Sequence, residues 1–162
     1  NGTIVGDITT GGRISPGNSI GSLNIEGDLN MLATASSFFE VNADTGVVDS
    51  VSVSGALALN GNLSWDFLSS VDPIATDTFT LYNATTLTGS FLNAPSGNRL
   101  FAPDAQSSFV VNYGSSSMFD PNSVVFSNFT FTPIPEPSTW ALMVLGLGLV
   151  GMRATRRPRR RF

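Results

Sequence analysis

The chain has 162 residues and a formal net charge of −4, and it contains no cysteine, no histidine and no lysine. Disulfides, thiol nucleophiles, Cys/His zinc sites, imidazole acid–base catalysis and Schiff-base chemistry are therefore all excluded, and neither a cofactor nor a metal site is expected. The charge is unevenly spread. Residues 1–137 hold all twelve acidic residues and only Arg13 and Arg99, a net of −10, whereas residues 138–162 hold six arginines and no acid, a net of +6. An acidic body argues against nucleic-acid binding, and a basic tail points to a membrane or a receptor.

The chain opens at Asn1 without a charged stretch followed by an apolar one, so no signal peptide is read there. It reads as the C-terminal piece of a longer or already processed protein. Between Gly11 and Leu29, "GGRISPGNSIGSLNIEGDL" begins with a turn: Pro16 fixes φ and Gly17 allows positive φ. From Val51 to Phe67 every odd residue is apolar or glycine, including Val51, Val53, Leu57, Leu59, Leu63, Trp65 and Phe67. Alternation of period two means strands with one buried face. The rings of Trp65 and Phe67 then point into the core.

One strand does not run that far. The unit apolar-x-apolar-x-Gly-x-apolar-x-apolar occurs at Leu23–Met31, Val51–Leu59 and Leu57–Trp65, which places glycines at corners between short strands. The expected fold is all-β: the end of a right-handed parallel β-solenoid over residues 1–91, then a less regular β cap over 92–132. An antiparallel β-sandwich is the alternative, because alternation with turn signals fits both. In the cap, Phe109–Tyr113 and Ser123–Pro133 read as strands that close the last coil. The stretches "SPGNSIGSLNIEGDL", "DSVSVSGALALNGNLSW" and "DTFTLYNATTLTGSF" resemble the autotransporter-associated β-strand repeat, a pertactin-like β-helix displayed outside Gram-negative cells. No run of outer-membrane barrel strands follows, so self-translocation is not expected.

Residues 133–162 form a third part. "TPIPEP" has three prolines in six residues and reads as an extended linker. Ser138 and Thr139 can cap a helix. The uncharged run Trp140–Met152 has thirteen residues, about 20 Å as a helix, against a hydrocarbon core of about 30 Å. It crosses a bilayer only if Arg153 snorkels to the headgroups. The positive-inside rule leaves the arginines in the cytoplasm and the body across the membrane. The order Pro-Glu-Pro, short apolar helix, terminal arginines resembles the PEP-CTERM sorting signal. The resemblance implies recognition by an exosortase, a membrane-embedded cysteine peptidase, with this chain as substrate. It makes Pro135, Glu136 and Pro137 the recognition residues. Trp140, Leu142, Met143, Val144, Leu145, Leu147, Leu149, Val150 and Met152 line the transient inner-membrane segment. Arg153, Arg156, Arg157, Arg159, Arg160 and Arg161 form the retention tail.

An enzyme on the solenoid would need paired carboxylates. The candidates are Glu40, Asp44 and Asp49, or Asp66, Asp72 and Asp77; most sit beside Gly, Pro or Thr, where Asp is a turn residue. The sequence therefore points to an exported non-enzymatic protein of the cell surface or biofilm matrix. It would be a scaffold or adhesin associated with exopolysaccharide and cut by an exosortase. The alternatives are a carbohydrate-active enzyme on a β-helix and a permanent single-pass membrane protein. Carboxylates clustered on adjacent rungs would favour the enzyme; acids scattered over turns would count against it.

Overall fold

A computed structural model of the chain describes residues 1–69 and 71–133. The chain divides into two units, Asn1–Thr132 and Pro133–Phe162, and all described strands belong to the first. They are β1 (Gly2–Val5), β2 (Ile8–Thr10), β3 (Arg13–Ile14), β4 (Ser22–Glu26), β5 (Leu29–Met31), β6 (Ser36–Asn42), β7 (Val47–Val48), β8 (Ser50–Leu59), β9 (Asn62–Phe67), β10 (Phe79–Gly89), β11 (Arg99–Phe101), β12 (Ser107–Asn112) and β13 (Ser123–Phe131). The fold is all-β. Among the described residues the only helical piece is a 3-10 turn at Gly114–Ser116, and no helix is long and apolar enough to cross a membrane. The expected membrane segment lies outside the described residues.

Residues 1–89 are organised by three parallel ladders. The first stacks β1, β4, β8 and β10 through Gly2, Leu23, Val51 and Tyr82, so partners lie 21, 28 and 31 residues apart. The second runs through Ile8, Leu29, Leu57 and Leu87, with β8 and β10 each long enough to serve both ladders. The third stacks β3, β6 and β9 through Ile14, Ser37 and Leu63. Parallel neighbours need a crossover of a dozen or more residues, usually helical. Here the crossover is made of further strands, so the chain returns to the first ladder by way of the other two. Gly27 and Gly61 show why glycine stands at the corners. A methyl group on Gly27 would lie 2.5 Å from the Gly6 carbonyl, and one on Gly61 would overlap the carbonyl of Ala35. Backbones of successive passes touch there.

The pairing changes at β10. On one side it is parallel to β8; on the other it is antiparallel to β13. The order continues β13-β12-β11, all antiparallel. The sheets are thus mixed. The antiparallel-sandwich alternative fails for residues 1–89, where all but the short β6–β7 pair runs parallel, and a purely parallel sheet fails after Phe79. The connection between β12 and β13, residues 113–122, is shorter than the dozen or more residues a parallel crossover needs, so these two strands pair antiparallel.

The core follows the alternation. Ile25, Val53, Leu57, Leu63 and Trp65 are buried, and the outward partners Asn24, Ser52 and Ser64 are not. At the junction with the antiparallel strands the core is aromatic. Trp65 packs edge-on against Phe67, Phe109 and Phe126, while Phe109 and Phe126 stack at 5.1 Å. The indole N–H donates to the Leu100 carbonyl at 3.2 Å. At the other end, β1–β3 leave an open edge beside a cavity of about 220 Å³ lined by Ile4, Ile8, Leu23, Ile25 and Leu29.

Candidate functional site

The predicted recognition residues Pro135, Glu136 and Pro137, the apolar run from Trp140 to Met152 and the arginines from Arg153 to Arg161 lie outside the described residues. What the structure places is the strand that leads to them. β13 sits inside the sheet, between β10 and β12, and buries Val124, Phe126 and Phe129. The Thr132 N–H still donates to the Gln106 carbonyl at 2.9 Å. The chain therefore leaves the sheet only three residues before Pro135.

The acidic candidates separate into three kinds. Glu40 and Asp66 are register partners on β6 and β9, side by side on the outer face of adjacent strands. Asp49 is fully buried and is a structural residue, not the turn or surface acid its neighbours suggest. Its two oxygens accept the N–H of Gly21 at 2.7 Å and that of Glu40 at 3.0 Å, tying one pass of the chain to the next. Asp44 and Asp72 are exposed, and Asp77 accepts the N–H of Ile74 in a turn. Only Glu40 and Asp66 are brought together as an outward pair.

Around that pair, Arg13 lies over the Phe38 ring at 4.4 Å, an arrangement that sequence spacing did not reveal. Burial raises the Glu40 carboxyl above the usual carboxylate value, with the nearby charges of Asp49 and Asp66 adding to the effect and Arg13 opposing it. One Glu40 oxygen, Oε2, is buried and accepts no hydrogen bond. On Asp66, Oδ1 accepts the N–H of Phe67 at 2.8 Å. Among the described residues no group of three or more acidic side chains could hold a metal ion.

One stretch of the outer face is neutral and polar, although it ends at the exposed Val5–Glu26 pair. Thr3, Asn24, Ser52 and Asn83 are register partners across β1, β4, β8 and β10, and Thr9 and Asn30 continue the pattern on β2 and β5. Strands lie about 4.8 Å apart, so these side chains present hydrogen-bonding groups at a regular spacing.

No curated protein and no solved structure matches the chain. Residues 133–161 match the family model described as the PEP-CTERM protein-sorting motif. That match lies beyond the β body, and the resemblance of residues 2–91 to the autotransporter-associated repeat gains no support from it. The chain carries, directly after its last described strand, a PEP-CTERM motif, which indicates a C-terminal sorting signal for exosortase processing of an exported protein bound for the cell envelope or surface.

Proposed function

We propose that the chain is a non-enzymatic surface or matrix protein: a β-solenoid end that is held transiently at the inner membrane, released by exosortase cleavage and left as a scaffold or adhesin in an exopolysaccharide. The observation that carries the reading is the motif at residues 133–161, which begins two residues after Phe131 ends β13. Cleavage in the linker would leave every described strand intact. The three parallel ladders support the solenoid part of the reading, since each pass stacks on the one before. The neutral outward columns of Thr, Asn and Ser support contact with a polysaccharide, whose hydroxyls need donors and acceptors more than charge. Intact-mass analysis of the C-terminal peptide from the native host tests the reading. A terminus near Pro135–Pro137 is expected; a terminus at Phe162 would make the protein a permanently anchored one.

A second reading, a carbohydrate-active enzyme, draws on the Glu40–Asp66 pair. Two outward carboxylates on adjacent strands, one with a raised pKa, are the minimum for glycoside hydrolysis. The other acids serve hydrogen bonds or turns, and Arg13 is already stacked on Phe38, so the scaffold reading is preferred. Release of reducing sugar from the host's own exopolysaccharide, abolished by Glu40→Gln, would reverse that preference.

A further inference from the structure

We propose that the end of the β body from which β13 leaves is a contact surface for the peptidase that reads the sorting signal, and that it meets an apolar, basic-rimmed protein face there. The inference rests on the reading that the tail is cut by a membrane-embedded peptidase.

Covalent geometry makes the approach close. Pro135 is four residues beyond Phe131, and an extended chain covers at most about 3.6 Å per residue, so the reach is about 14 Å. Nothing in the body can lengthen it cheaply. Unzipping the end of β13 would expose Phe129, whose ring packs against Phe67 and Phe109, and would break the strand's pairing with β12. A peptidase that seats Pro135 in its cleft therefore holds that cleft within about 14 Å of Phe131, close enough for the surface around the cleft to meet this end of the sheet.

Five exposed apolar side chains stand at that end. Phe131 is paired with Ser107, and Phe101 with Ser108 on the other side of β12, so both stand at the same end of the strands. The segment from Leu68 to Thr78 joins the end of β9 to the start of β10. The Phe67 ring touches Phe129 and Phe79 is paired with Phe126, so the described residues of this segment, 68–69 and 71–78, lie at that end too. Relative exposures are 43% for Leu68, 56% for Val71, 63% for Ile74, 54% for Phe101 and 47% for Phe131. Scattered exposed apolar residues need no explanation, but a concentration at one end marks an interaction site. Asp72 and Asp104 are exposed on the same loops. Together with the body's net negative charge they disfavour an anionic lipid leaflet and favour a protein face with basic groups at its rim.

The test uses the full chain in its native host, with the conversion from precursor to cleaved product followed by pulse-chase and checked by mass. The triple variant Val71→Ser, Ile74→Ser, Phe101→Ser should be cut at least tenfold more slowly. Asp72→Lys, which has no packing role, should also be slowed. Met118→Ser should be cut at the normal rate, because Met118 is 85% exposed in the β12–β13 loop at the opposite end of those strands. Normal cleavage of both the triple variant and Asp72→Lys would overturn the proposal while leaving exosortase processing intact. A wild-type chain that is never cut would overturn both readings. If the cleaved body sediments with phosphatidylglycerol–phosphatidylethanolamine vesicles and the triple variant does not, the occupant is the bilayer and the proposal is wrong.

Discussion

Two glycines form a matched pair that tests whether successive passes of the chain really stack. Gly46 has φ +70 and Gly61 has φ +69, but a methyl group on Gly46 meets open space and one on Gly61 overlaps the Ala35 carbonyl. Placing alanine in the left-handed region costs about 1–2 kcal/mol, offset by about 0.4–1 kcal/mol from a stiffer unfolded chain. Gly46→Ala should therefore cost about 1 kcal/mol. Gly61→Ala carries the same backbone term plus the overlap. The Ala35 carbonyl accepts the Asn62 N–H at 2.9 Å, and the Gly61 carbonyl accepts the Leu92 N–H at 2.7 Å. Relief of the overlap pushes the passes apart, weakening bonds worth about 1 kcal/mol each and adding about 1–3 kcal/mol of overpacking. A total of about 3–5 kcal/mol is expected. In urea denaturation of the β body followed by far-UV circular dichroism, a slope of about 2 kcal/mol/M makes the midpoints differ by about 1–2 M. Midpoints within about 0.3 M of each other would refute the stacked arrangement at this corner.

The other expectations concern the core and two titrating groups. Trp65→Ala should lower stability by about 3–5 kcal/mol in the same assay, because three aromatic neighbours lose their partner and the Leu100 carbonyl loses its donor. Glu40 has its pKa raised in the folded state, so the native protein holds that proton more tightly than the unfolded chain. Stability at this position is therefore lost as pH rises through the carboxylate range and stays lost at neutrality. Glu40→Gln should raise the urea midpoint at neutral pH, by the equivalent of under about 1 kcal/mol, and give no gain near pH 3. Tyr82 is buried with its hydroxyl 2.7 Å from Ser37 Oγ, and burial, opposed by that hydrogen bond, raises its pKa well above the ordinary phenol value. Its contribution is intact below about pH 10 and lost as pH rises beyond it, where only the unfolded chain ionises. Tyr82→Phe should flatten that alkaline decline while costing about 1 kcal/mol below it.

The Val51–Phe67 alternation carried the core: Val51, Val53, Leu57, Leu59, Leu63 and Trp65 are all buried. Both C-terminal strands were also visible, at residues close to β12 and β13. Strand direction was not. Inward alternation looks the same whether the neighbour runs parallel or antiparallel, so nothing local in Phe79–Gly89 says that β10 is parallel to β8 and antiparallel to β13. Asp49 was misread for a related reason. An acid beside a turn resembles a capping residue, and its real task is to hold Gly21, 28 residues earlier in the chain. The Glu40–Asp66 pair depends on the 26-residue offset between β6 and β9, and irregular offsets of 21, 28 and 31 residues elsewhere hide any such register. The tail was legible because its information is linear: a proline-bounded acid, an apolar run and a basic end need no partner strand to be recognised.

The place of β13 has a consequence for the order of biosynthesis. The last of the described strands to be made is an interior one, flanked by β10 and β12. A nascent chain that stops short of it lacks Phe126 and Phe129, leaves the Trp65 cluster open and gives β12 no neighbour on that side. The sorting residues are translated only after that strand. A ribosome that reaches the motif has therefore already made β13, and a chain that stops before Ser123 carries neither that strand nor the motif. Position alone thus ties the sorting signal to the presence of the interior strand that closes the Trp65 cluster.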